Sequence, residues 1–330
     1  MVYLTLAAGI ALLLLCGDIL VRGSVALAVR LGIPSLVIGL TIVAFGTSAP
    51  ELVVSLRAAL SGAPGIAIGN VVGSNIANVL LVLGLPALIS ATDCNQPFIK
   101  RNTLYVIGAS LIFIGLCYAG PLSFWHGAVL FALMVAFLIE SGRRAAQKSV
   151  EARSISDETI ELIDGVSGLP GRVWLVSGFI LAGLIGLPLG AHLTVSSASE
   201  IAGEFGISKA AIGLTVIALG TSLPELATTV SAALRGHCGL AIGNVLGSNL
   251  FNILAIMGLT AMVAPVPVPD IIVRVDLWVM LAAALAITPF VIGRKNITRT
   301  PGLIFVACYL LYIVFVFMPR ANEVASIAQP

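Results

Sequence analysis

Charge is scarce in this chain. Only 10% of its 330 residues are Asp, Glu, Lys or Arg, against about 25% in an ordinary soluble domain. A soluble fold needs a wet exterior, and this composition does not supply one. Disorder is excluded on the same ground, because disordered chains are polar and charged. Histidine is scarcer still, with residues at 126, 192 and 237 only. The five cysteines, at 16, 94, 117, 238 and 308, follow no CxxC or CxxxH spacing. Neither a disulfide framework nor a zinc site is indicated. An intramembrane enzyme would need a Ser/His/Asp or paired-Asp constellation, and none is apparent. The net charge of +2 suggests no nucleic-acid partner.

What is abundant is apolar length. Hydrophobic residues make up 59% of the chain and the mean hydropathy is +1.11. They come in long runs rather than in alternation, which argues against an outer-membrane barrel. The expectation is an all-α polytopic membrane protein. At about 20 residues per span there is room for about ten transmembrane helices. Punctuation by Gly, Pro and polar residues places them near 2–21, 33–60, 65–90, 103–119, 121–140, 173–196, 207–234, 239–264, 271–292 and 302–318. The N-terminal run from Val2 to Leu15 has no basic n-region and no clear cleavage site, so it reads as a retained helix rather than a signal peptide. Gly120-Pro121 suggests a tight hairpin. The polar stretch 141–172 reads as a solvated linker between a first half, 1–140, and a second half, 173–330.

Basic residues orient the chain. With the N-terminus outside, 13 of the 17 Lys and Arg residues fall on one side. Only Arg57, Lys209, Arg274 and Arg320 fall on the other. Positive charge marks the cytoplasmic face. Both termini are therefore expected outside and the linker in the cytoplasm of a bacterial inner membrane.

An internal repeat is the strongest signal. Residues 33–84 align without a gap on 207–258, with 28 identities in 52 positions. GLT-x-x-A-x-GTS-x-PEL occurs at Gly39–Leu52 and at Gly213–Leu226. AIGNV-x-GSN-x-x-N occurs at Ala67–Asn78 and at Ala241–Asn252. Five helices per half is an odd number, so the second half enters the membrane from the opposite side. Inverted-topology repeats of this kind build secondary transporters with a site at the repeat interface.

The repeated residues are mostly polar, Gly or Pro within apolar helices. Glu51 and Glu225 fall well inside such helices, where an ionised carboxylate costs several kcal/mol. Arg57 lies six residues beyond Glu51, on another helix face, and its counterpart is Ser231. Paired carboxylates without fixed basic partners point to mobile cations. Pro50 and Pro224 lack an N–H, which frees the carbonyls of Gly46 and Gly220. Thr47, Ser48 and Glu51 can share one helix face, as can Thr221, Ser222 and Glu225. Asn70, Ser74 and Asn78 form a stripe at i, i+4 and i+8, repeated by Asn244, Ser248 and Asn252. Asn70, Asn75, Asn244 and Asn249 suit either interhelical hydrogen bonding or ion contact, whereas Ser74, Asn78, Ser248 and Asn252 are assigned to the ions. All these donors are oxygens, which suit Ca²⁺ and Na⁺. Two carboxylates offset one divalent or two monovalent cations, and competition between those occupancies is the basis of antiport.

The GTS-x-PE segments at 46–51 and 220–225 and the GSN-x-x-N segments at 73–78 and 247–252 resemble the α-repeats of the calcium/cation antiporter superfamily. The chain most resembles its compact prokaryotic sodium/calcium exchanger-like members. The resemblance implies that Glu51 and Glu225 bind Ca²⁺ and share Na⁺, with the backbone carbonyls of Thr47 and Thr221 completing the Ca²⁺ site. It implies Na⁺ sites built from the hydroxyls of Ser48, Ser74, Ser222 and Ser248 and the carbonyls of Ala44 and Ala218. Asn78 and Asn252 would face the centre. Some members carry Asp where this chain has Asn252, and in potassium-dependent relatives that acid is linked to K⁺, so the amide argues against K⁺ cotransport. Helices 1 and 6 would slide or rock against a core of helices 2, 3, 7 and 8. The expected activity is exchange of Ca²⁺ for Na⁺ by a monomeric unit that works in the bilayer without a cofactor. A Ca²⁺/H⁺ exchanger and a cation channel are the alternatives.

Overall fold

The computed structural model of the chain describes residues 2–96, 98–153, 170, 172–204 and 218–327. Ten helical segments follow in order. They are α1 (Val2–Leu31), α2 (Ser35–Thr47 and Ala49–Leu60), α3 (Pro64–Ile89), α4 (Ile99–Ala119) and α5 (Phe124–Arg153). Then come α6 (Val173–Glu204), α7 (Ala218–Thr221 and Leu223–Leu234), α8 (Cys238–Val263), α9 (Ile272–Gly293) and α10 (Arg299–Ile327). The described residues contain no β-strand beyond two isolated bridges, Thr92–Ile297 and Leu122–Val266. Among the described residues eight helices are long and apolar enough to cross a membrane, and the bent pair of α2 makes nine. The expected start of the seventh span, 207–217, lies outside the described residues.

Several helices outrun their expected ends. α1 continues past residue 21 to Leu31 because nothing breaks it before Gly32, at φ +63°, and Pro34. Arg22 extends the helix rather than ending it, since it pairs with Asp18 one turn back at 2.9 Å. α6 likewise reaches Glu204, beyond the expected 196. α5 continues past residue 140 to Arg153, so the first part of the stretch read as a solvated linker is helix. Its centre, 154–169, lies outside the described residues. The hairpin at Gly120-Pro121 is present, with Gly120 at φ +132°.

The helices form two layers. One apolar core joins α3, α4, α5, α8, α9 and α10, with the first part of α2 against it. A second core joins α1 and α6 to the flank of α2, α7 and α8. Small residues bring α1 and α6 together backbone to backbone. A Cβ on Gly9 would stand 2.6 Å from Thr194 Oγ1, and one on Gly186 2.2 Å from Cys16 Sγ. The loops sort into two ends, as alternating spans require. At one end Thr92 meets Ile297, Cys238 meets Ala91 O, and Arg235 pairs with Asp18. At the other, Leu122 meets Val266.

Candidate ion-binding site

Both motif helices break where proline follows a hydroxyl residue. α2 turns by 44° at Ser48, which has φ −84° and ψ 7°, and Pro50 opens its second part. α7 breaks in the same way at Ser222, with φ −87° and ψ 3° ahead of Pro224. Each break makes a new helix N-terminus part-way along the segment, and Glu51 or Glu225 occupies its first turn. A carboxylate is favoured there by the helix dipole.

Glu51 and Glu225 are 1% and 0% exposed. Around them the two repeats interlock. Thr47 Oγ1 donates to Asn244 Oδ1 at 3.2 Å, and Thr221 Oγ1 donates to Asn70 Oδ1 at 3.4 Å. Asn70 Nδ2 donates to Ser55 Oγ and to the Glu51 carbonyl, at 3.0 and 3.3 Å. Asn244 Nδ2 does the same with Thr229 Oγ1 and the Glu225 carbonyl, at 3.1 and 3.4 Å. Asn78 Nδ2 donates to Asn249 Oδ1, and Asn252 Nδ2 to Asn75 Oδ1, each at 3.1 Å. These threonine and asparagine side-chain bonds come in pairs related by the repeat.

A set of oxygens is left over. Buried and without a hydrogen-bond partner are Glu51 Oε2, Glu225 Oε2, Ser74 Oγ, Ser222 Oγ, Asn78 Oδ1 and Asn252 Oδ1. Unsatisfied buried polar groups are rare because each costs about 1–3 kcal/mol. Six within the two repeated motifs call for a ligand that accepts oxygen donors. No fixed cation among the described residues serves. The four ion pairs among the described residues lie elsewhere, and Arg57 is exposed.

The assigned residues divide by what they do in this arrangement. Asn70, Asn75, Asn244 and Asn249 are interhelical hydrogen bonders. Asn78 and Asn252 combine both roles, with the amide nitrogen fixed across the interface and the oxygen free. The Thr47 and Thr221 hydroxyls are taken by asparagines. The Ala44 carbonyl, expected to serve Na⁺, accepts from Ser48 N at 3.0 Å and Thr47 Oγ1 at 3.3 Å. The side chain of Ala218 lies outside the described residues. Of the two GxxxG pairs, Gly243 and Gly247 seat α8 on α2, where a Cβ on Gly243 would stand 2.4 Å from Leu36 O. The residues that would face Gly69 and Gly73 by symmetry lie around 213, outside the described residues.

Two features of the site escaped the sequence reading. One is the crosswise pairing of Asn75 and Asn249, whose duplication was visible but whose partners were not. The other is a π-helical turn in each arm, at Asn78–Leu83 and Phe251–Ile256. Such turns widen a helix and gather at functional sites. Here they begin at or next to Asn78 and Asn252.

The sodium/calcium exchanger protein family matches residues 1–141 and 175–318. The chain is 36% identical over 312 residues to a putative antiporter, CaxA, of Alkalimonas amylolytica, covering 94% of this chain and 96% of that one. It is 34% identical over 284 residues to the inner membrane protein YrbG of Escherichia coli, covering 85% of each. Among solved structures it is similar to the sodium-calcium exchanger NCX_Mj soaked with Na⁺ and Ca²⁺. The TM-score is 0.81 at 31% identity, over 95% of this chain and 97% of that one.

Proposed function

Because the chain belongs to the sodium/calcium exchanger family, whose members are transporters and not enzymes, we propose that it exchanges Ca²⁺ for Na⁺ by alternating access, with Glu51 and Glu225 as the charges for which the two ions compete. One observation carries this reading. Two wholly buried carboxylates, each with an unpartnered oxygen, stand among four further unpartnered oxygens with no basic side chain among the described residues to offset them. Two uncompensated negative charges in a low-dielectric interior cost several kcal/mol each. One Ca²⁺ or two Na⁺ removes that cost, so occupancy by one excludes the other. Ser48, Ser74, Ser222 and Ser248, the carbonyls at Thr47, Thr221, Ala44 and Ala218, and the free oxygens of Asn78 and Asn252 complete the ion shells.

The inverted halves, 1–140 and 173–330, supply one carboxylate each. The α1–α6 pair, packed as its own layer, is the part that moves against the core. The basic-residue bias and the similarity to an inner membrane protein support placement in the inner membrane with both termini outside. The same oxygens could line a channel, but a row of buried, mutually bonded side chains at the repeat interface fits an occluded site better than an open pore.

The test is uptake of radiolabelled Ca²⁺ into proteoliposomes. An outward Na⁺ gradient is expected to drive uptake. A pH gradient without Na⁺ is expected to give little. Uptake driven by the pH gradient alone would assign H⁺ as the counter-ion instead, and single-channel currents would indicate a pore.

A further inference from the structure

A groove of about 340 Å³ lies between α4, α5 and α8, on the side of α8 away from the α1–α6 layer. Tyr105 and Gly108 line one wall, Ala136 and Phe137 the other, and Leu250 and Leu254 form the floor. From residue 101 to residue 112, α4 covers about 16 Å, roughly the depth of one leaflet of the hydrocarbon core.

At one end the chemistry changes. The Arg101 guanidinium stands over the rings of Phe98 and Tyr105, 5.0 and 5.8 Å from their centroids. Its Nε is buried without a hydrogen-bond partner. Lys100 is next to it and exposed, and Arg143 is exposed on the last turns of α5 at the same end. Glu140, the acid lining the groove, is already paired with Arg144. Lys100, Arg101 and Arg143 form no ion pair among the described residues. Lys100 and Arg101 also occupy the first turn of α4, where the helix dipole opposes positive charge. An anion at this end resolves that conflict.

We propose that this groove is a binding site for one anionic phospholipid, its acyl chain along the apolar walls and its phosphate at Arg101 and Lys100. A neutral lipid leaves the cations unmet, and free phosphate leaves the groove unfilled. Leu250 and Leu254 flank Asn252 across its π-helical turn, so a lipid here braces the helix that carries half of the ion site. Lipid binding at this place does not depend on which ion is transported, and it is measured without transport.

The experiment is native mass spectrometry of the purified full chain after exposure to equal amounts of phosphatidylglycerol and phosphatidylcholine. One phosphatidylglycerol is expected to stay bound, favoured about fivefold or more over phosphatidylcholine, and excess inorganic phosphate is expected not to displace it. Arg101→Gln should cut the preference about fivefold, the worth of one cation near the membrane surface. Lys100→Gln, at an exposed side chain, should lower it in the same direction. Gly108→Leu should reduce retention of both lipids by filling the groove, and beyond its own stretch of helix the added Cβ meets nothing within 4 Å. Equal retention of the two lipids by the parent protein, displacement by phosphate, an unchanged preference in both charge variants, or unchanged retention in Gly108→Leu would each overturn the assignment.

Discussion

Glu225 accepts a hydrogen bond from Ser48 of the other repeat at 3.0 Å and one from Ser248 of its own at 3.4 Å. The hydroxyls in the same relation to Glu51, those of Ser222 and Ser74, are buried without a partner. The two repeats carry identical residues at all these positions. The difference is therefore one of conformation and not of chemistry. A protein made of inverted repeats can face one side of the membrane only by breaking its own symmetry, so the two carboxylates cannot be equally held in any single state. In the opposite-facing state the roles should exchange, with Ser222 and Ser74 on Glu51.

The largest expected effect erases the comparison. Glu51→Gln and Glu225→Gln should each reduce Ca²⁺ exchange at least about a hundredfold, because each leaves the other charge and the bound ion unmatched. Removing one partner of a buried pair costs about 3–5 kcal/mol. Ca²⁺ uptake normalised to monodisperse protein measures this, and the two variants should fail alike despite their unequal surroundings.

The next effect separates the halves. Ser48→Ala removes a charge-assisted hydrogen bond worth about 1.5–3 kcal/mol, whereas Ser222→Ala removes a hydroxyl that bonds nothing. Thermal unfolding without Na⁺ or Ca²⁺ should be lowered by the first substitution and not by the second. With Na⁺ present, both should weaken Na⁺ binding. Equal destabilisation without ions would show that the asymmetry does not persist in solution.

Asn252→Asp probes the shared centre. Asn252 Nδ2 donates to Asn75 Oδ1, and a carboxylate at that place would set two acceptors against each other unless it holds a proton or another cation. Exchange should then gain a pH dependence near neutrality, of at most about tenfold per pH unit for one proton, or a response to K⁺. Burial and then Arg235 hold His237, in the turn between α7 and α8, below its ordinary pKa. A variant that loses stability but keeps the parent pH profile would leave Asn252 a helix–helix bonder only.

The smallest effect concerns the one charged difference near the glutamates. Arg57 faces Ser231 across the repeat alignment and is exposed. Arg57→Gln should change the Ca²⁺ exchange rate less than about twofold, in keeping with the small worth of exposed charges. A large loss would mean that Glu51 does have a basic partner.

Duplication is what made the site legible in the sequence. A single Pro-Glu pair in an apolar helix reads as a kink, but Pro50-Glu51 and Pro224-Glu225 with identical polar companions do not. The breaks at Ser48 and Ser222 follow from the missing N–H of the prolines. The number and order of helices followed from apolar run lengths. Helix ends were less legible, because Arg22 and Arg144 look like loop residues until their partners one turn away, Asp18 and Glu140, are counted. The π-helical turns left no composition signal, since Val, Leu and Ile suit either helix. Crosswise bonds such as Asn78 to Asn249 depend on how the halves dock. The inequality of the two glutamates was invisible in principle, because the repeats spell the same residues there.

Titration calorimetry of Ca²⁺ into the purified protein, with and without Na⁺, shows whether the two ions compete for the Glu51–Glu225 pair. One Ca²⁺ per chain is expected, displaced competitively by Na⁺, with no measurable binding by Glu51→Gln or Glu225→Gln. Undiminished Ca²⁺ binding by the variant carrying both substitutions, or Ca²⁺ binding that Na⁺ does not oppose, would contradict it.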